Sequence, residues 1–92
     1  MGSAAAKELL RLPVMLEGIR LGRCVDVVLD PTGEQVVGIV VLCGDEEERF
    51  LVLDAADVRG DKIAVRSALV LLEDVDFYRR HGRSLRGLRP SG

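Results

Sequence analysis

Few residues of this sequence are equipped for chemistry, and their surroundings do not prepare them for it. The single histidine, His81, stands in the run Arg79-Arg80-His81-Gly82-Arg83. There the cations oppose its protonation and no acceptor is at hand to orient its ring, which makes it a poor general base. Ser67 and Ser84 lack a nucleophile-elbow or triad context, and no glycine-rich loop leads into a helix to cradle a phosphate. The two cysteines, Cys24 and Cys43, have neither the close pairing nor the nearby histidines of a zinc site. Both lie in apolar runs, where a free thiol behaves as a small hydrophobe. Asp45-Glu46-Glu47-Glu48 offers oxygen ligands to a hard cation, but adjacent acids in a hairpin loop are usually just solvated. Asp26 is the unusual acid, because a carboxylate inside an apolar strand must face solvent or find donors. No catalytic residue, cofactor or metal is expected, and the chain reads as a protein other than an enzyme.

The elements that carry these residues read as strands. Runs of Val, Ile and Leu, separated by Gly, Pro and Asp, predict strands near 13–17, 22–30, 35–43, 49–54, 62–66 and 69–72. Asp30-Pro31-Thr32-Gly33-Glu34 closes a first hairpin and Gly44 to Glu48 a second. Residues 4–12 are helix formers stopped by Pro13, and Val75 to Arg80 predicts a helical turn that Gly82 ends. Short strands in series with no helix between them predict an all-β fold, a small antiparallel barrel of about six strands with short helical turns at the termini. The 92 residues suffice for one domain. Its expected divisions are a flexible start or expression-vector remnant at 1–7, the barrel at 8–76 and a basic tail at 77–92. No apolar run is long enough to span a bilayer and no secretory signal opens the chain, so a cytoplasmic location is expected.

Charge divides the chain. All 15 acids precede residue 79, whereas Arg79, Arg80, Arg83, Arg86 and Arg89 follow with no acid among them. These arginines are candidate contacts for an anionic partner, RNA or another anionic surface. The acidic barrel and the scarcity of aromatic side chains argue against specific nucleic-acid recognition.

One family matches the pattern from Gly18 through Gly22, Asp26 and Asp30 to Gly33 and the return strand Val36-Val37-Gly38-Ile39-Val40-Val41. A glycine before a strand, an aspartate within it, a second aspartate at the hairpin and a Val/Gly-rich return strand resemble the PRC-barrel domain. The likeness continues more weakly through Phe50-Leu51-Val52-Leu53 and Asp57-Val58 to Asp61-Lys62-Ile63-Ala64-Val65, covering about residues 8–72. Members that follow a membrane helix or another domain carry segments this sequence lacks. The resemblance therefore implies a stand-alone member, a non-catalytic interaction or assembly module with an unnamed protein client. The alternative is a ribosome-associated or RNA-proximal factor using the basic tail.

Strict alternation puts Val25, Val27 and Leu29 on one face of the first hairpin and Cys24, Asp26, Val28 and Asp30 on the other. The return strand then adds either Val36, Val40 and Leu42 or Val37, Ile39 and Val41 to the outer face, according to register. Either leaves an apolar strip outside a small barrel, which predicts a homodimer or docking of the tail. The candidate surface comprises Cys24, Val28, Val37, Ile39, Val41, Phe77, Tyr78, Leu85 and Leu88. In the docked arrangement the arginines meet acids such as Asp45 to Glu48.

Overall fold

The computed structural model describes residues 8–84; Leu85, Arg86, Leu88 and Arg89 lie outside them. Helical residues at Glu8–Leu9 lead to β1 (Pro13–Leu16), which pairs through a two-residue turn with the long β2 (Ile19–Leu29). Glu17 and Gly18 both have positive φ, 48° and 84°, the backbone of a tight hairpin turn whose twist matches its strands. The hairpin turn after β2 is organised by Asp30. Its carboxylate accepts bonds from the Thr32 hydroxyl at 2.9 Å and the Glu34 N–H at 2.8 Å. The chain returns as β3 (Val36–Cys43) and β4 (Glu48–Val52).

A 3₁₀ turn, Leu53–Ala55, then carries the chain to β5 (Ala56–Val58) and β6 (Ile63–Val65). A second, Ala68–Val70, precedes β7 (Leu71–Leu72), helix α1 (Val75–His81) and β8 (Arg83–Ser84). The strands form one curled sheet in the order β5-β6-β1-β2-β3-β4-β7, with β8 also on β2.

This corrects the expected barrel in two respects. The sheet has eight strands rather than six, and it is mixed, because β6 runs parallel to β1. The parallel contact joins segments on either side of the hairpins, so no local alternation announces it. The two extra strands, β5 and β8, are three and two residues long, too short for a period of two to emerge from their sequences.

Two bulges decide which residues face inward. The β2–β3 register shifts between Cys24 and Asp26 and again between Val28 and Leu29. A bulge inserts one residue and reverses the alternation after it. Cys24, Val27 and Leu29 consequently join Ile39, Val41, Leu51, Val14 and Ile63 in the main core. Asp26 and Val28 face the other way, and Val28, Val40 and Phe50 form a second cluster on the outer face, with Val25 packed against it. The expected alternation holds from Asp26 to Leu29 and is corrected only at Cys24 and Val25, which exchange faces because Val25 is the extra residue of the first bulge. The second bulge places its extra residue, Val37, on β3. Burying each of these aliphatic side chains contributes roughly 1.5–3 kcal/mol.

The apolar strip on the outer face is present, but α1 lies on it. Val75 is buried there beside Val28, Val40 and Phe50. The boundary expected at residue 76 falls within this helix, and the fold runs on through β8, which pairs Ser84 with Val28 and Arg83 with Leu29. Among the described residues no helix is long and apolar enough to cross a membrane.

Candidate functional site

The densest polar arrangement lies where α1 crosses the sheet. Asp26 is completely buried, and a carboxylate in that position is stable only with donors around it. Its Oδ1 accepts the Val27 N–H at 2.8 Å. Its Oδ2 accepts from Nε of Arg79 at 3.2 Å, lies 3.1 Å from the Nη2 of the same group, and accepts the Ser84 hydroxyl. The guanidinium reaches further, with Nη1 donating to Glu48 Oε1 at 3.2 Å. One arginine from α1 thus ties β2 to β4. Arg79 keeps about 30% of its surface exposed, which screens the Glu48 contact more than the Asp26 one.

Beside this pair, Tyr78 lies on Phe50. Phe50 in turn sits over Gly38, where an added Cβ would collide with its ring and with the Leu51 carbonyl. The missing side chain at 38 makes the bed in which the ring lies flat enough to receive Tyr78. Gly82 has a similar role at the end of α1. A Cβ there would come 2.5 Å from the Leu29 carbonyl and 2.8 Å from Val28 Cγ1, so only glycine lets the chain pass from helix to β8 at this separation. The helix begins with an inverse γ-turn. The Val75 N–H donates to the Glu73 carbonyl at 2.9 Å around Asp74, with φ −84° and ψ 54°.

The other candidate chemistry is absorbed by structure. Burial pushes the Cys24 thiol up to about 12, and its Sγ–H donates to the Asp26 carbonyl at 3.3 Å. Such a thiol is not nucleophilic at neutral pH. Cys43 is a half-buried free thiol. In the acidic loop Arg49 makes a bidentate pair with Asp45 at 3.1 and 2.9 Å. That hydrogen-bonded pairing, with help from the Glu47 N–H, lowers the Asp45 carboxyl below its usual value and raises Arg49. At Asp30, partial desolvation pushes upward. Hydrogen bonds from Gln35, Thr32, Glu34 and Gly33 together outweigh it, and the carboxyl is lowered.

The sequence-predicted surface residues scatter accordingly. Cys24, Ile39 and Val41 are buried in the main core and present no surface. This correction follows for Cys24 from the bulge at Val25, and for Ile39 and Val41 from the hairpin register, which turns Val40 outward instead. Val28 lies under α1, and Val37 is 37% exposed. Tyr78 and Arg79 face the sheet, whereas Phe77, Arg80 and Arg83 are exposed. Phe50, Val75 and Ser84 complete the site without having been singled out for it, whereas Asp26 had been marked as an acid in need of donors. An acid at full depth in an apolar strand was the one available signal.

A second feature lies on the other side of the sheet. Leu9, Leu12, Val36, Leu53 and Val58 line an open groove of about 320 Å³, with Glu8, Arg59 and Gly60 at its rim. Strand β5, which supplies Val58, ends the sheet on this side.

Comparison with known families returns the PRC-barrel domain, whose model matches residues 1–71 of the 92. No curated protein matches significantly, and no solved structure does. The matched span includes β1 to β6 and the bulged hairpin, and it stops before α1 and β8. On this match over most of its length, with a curled β-sheet to accompany it, the chain belongs to the PRC-barrel domain family.

Proposed function

We propose that this protein is a non-catalytic protein-interaction module that works in the cytoplasm. The observation that carries the reading is the apolar groove between Leu9, Leu12, Val36, Leu53 and Val58, walled on one side by the terminal strand of the sheet. An apolar groove beside a sheet edge suits an extended peptide, whose backbone pairs with the edge while alternate side chains enter the groove. A homodimer would use this same groove and edge, because the apolar outer face is already occupied by α1. Two cysteines kept as free thiols accord with a reducing compartment. The RNA-proximal reading is weakened by Arg79, which is turned onto Asp26 and Glu48 and so withdrawn from any phosphate.

The test is site-specific photocrosslinking with the full chain in host extract. A benzophenone side chain in place of Val58 should capture a discrete polypeptide, either a client or a second copy. The same group in place of the exposed Arg66 should not. Equal labelling from both positions, or none from Val58, would overturn the proposal.

A further inference from the structure

The side of α1 turned away from the sheet carries a separate set of groups. Phe77 is 49% exposed, and the His81 ring, one turn on, lies 4.3 Å from it at an interplanar angle of 30°. His81 is held there by a 2.8 Å contact between its Nδ1 and the Phe77 carbonyl. Arg80, next to His81 in the helix, and Arg83, on β8 with its side chain reaching towards Gly33 of the β2–β3 turn, are also exposed. Among the described residues no carboxylate lies within ion-pair distance of either, in contrast to Arg79 with its two. Arg80 Nε donates to the Asp76 main-chain carbonyl at 3.4 Å, which leaves its charge unneutralised. The exposed acids Glu73, Asp74 and Asp76 gather at the other end of the helix. The outcome is an aromatic platform at the C-terminal end of α1 with two uncompensated arginines, Arg80 on the helix itself and Arg83 beyond it towards the Gly33 turn.

We infer that this face binds a short acidic segment of a partner protein, with an apolar side chain of the segment on Phe77 and its carboxylates on Arg80 and Arg83. Aromatic and arginine side chains supply most of the energy at such contacts, and complementary charge sets the orientation and the rate of encounter. A short segment fits better than a nucleic acid. The acids precede residue 79 and would repel a polyanion along its length, whereas a few carboxylates need cover only the cationic patch. The inference rests on the reading of the protein as an interaction module but uses a surface remote in sequence from the groove.

The experiment uses the full chain and a fluorescein-labelled peptide, Glu-Asp-Leu-Phe-Asp-Glu, followed by anisotropy. Phe77→Ala should weaken binding by ~10-fold or more, as should Arg80→Glu combined with Arg83→Glu. Raising salt from about 50 to about 300 mM should weaken it several-fold. Val58→Glu, in the groove, should leave it unchanged. Thermal melts accompany each variant, and if Phe77→Ala melts early the double arginine variant decides. No binding at millimolar protein, binding indifferent to the arginine substitutions, or tighter binding of an oligouridylate of equal charge would each overturn the inference. The groove is tested separately by the probe at Val58. Peptide binding without crosslinking sinks the groove reading alone, and crosslinking without peptide binding sinks this one alone.

Discussion

Tyr78 lies flat on Phe50, their ring centroids 3.9 Å apart and their planes within 4°. The contact joins the last helix to the middle of the sheet and closes an apolar face that would otherwise be open to water. Its neighbour Phe77 touches Tyr78 edge-on at 5.2 Å and points outward. Replacing Tyr78 by alanine should therefore cost roughly 2–3 kcal/mol, from lost burial and stacking together. Phe77→Ala should cost well under about 1 kcal/mol, as a surface substitution does. Urea unfolding of the two variants checks the order, and equal losses would show that the helix docks through its other face.

The Asp26–Arg79 pair makes a sharper demand, since the acid has no access to water. Asp26→Asn keeps the shape and removes the charge, leaving Arg79 with Glu48 alone. We expect a loss of about 2–4 kcal/mol, discounted from the usual cost of breaking a buried pair because the arginine is partly exposed. Arg80→Gln should change stability by no more than ~0.5 kcal/mol. A double-mutant cycle of Asp26→Asn with Arg79→Gln should show strong coupling, and simple additivity would mean that the pair is incidental.

Gly38→Ala tests the bed beneath Phe50. The new methyl has no room beside the Phe50 ring and the Leu51 carbonyl, and overpacking of this kind costs typically ~1–3 kcal/mol. The near-ultraviolet dichroism of the Phe50–Tyr78 pair should weaken at the same time. A variant with wild-type stability and spectrum would show that the strands part easily here.

The two thiols should separate by reactivity. At pH 8 a disulfide reagent should modify Cys43 and leave Cys24 untouched until the protein unfolds, because burial holds the Cys24 thiol protonated up to about 12. The same shift gives a pH slope. Stability from the protonated Cys24 is complete below the ordinary thiol value of 9.0 and is lost as pH rises from there towards about 12. Cys24→Ser should flatten this alkaline limb, and rapid labelling of both thiols in native protein would contradict the packing.

On the acid side the sign is reversed. Asp30 and Asp45 are both lowered from 3.8, so their contribution is present above that value and disappears as pH falls through the lower native one. Asp45→Asn should make the urea midpoint less sensitive to pH between about 4 and 2 than in the wild type. An unchanged acid limb would show that the Arg49 pair is too exposed to matter.

Much of this architecture was legible from residue type. The hairpin at Asp30 to Gln35 and the end of α1 at Gly82 follow from local backbone preferences, and those act within a few residues. The first helical residues, by contrast, already end at Leu9, in a turn with Arg11 at φ 73°, ahead of Pro13. The family pattern from Gly18 to Val41 was legible for the same reason. Asp26 could be marked as an acid in need of donors, but not matched to Arg79, which lies 53 positions later. The bulge between Cys24 and Asp26 exchanged the faces of Cys24 and Val25 because a single inserted residue leaves no trace in a β-rich run. The parallel β1–β6 pair and the choice of Tyr78 over Phe77 for the sheet were settled only by the packed chain. The sequence by itself determined which segments extend, turn and coil. Tertiary structure decided which faces meet, because that choice is made by register and close approach between residues far apart along the chain.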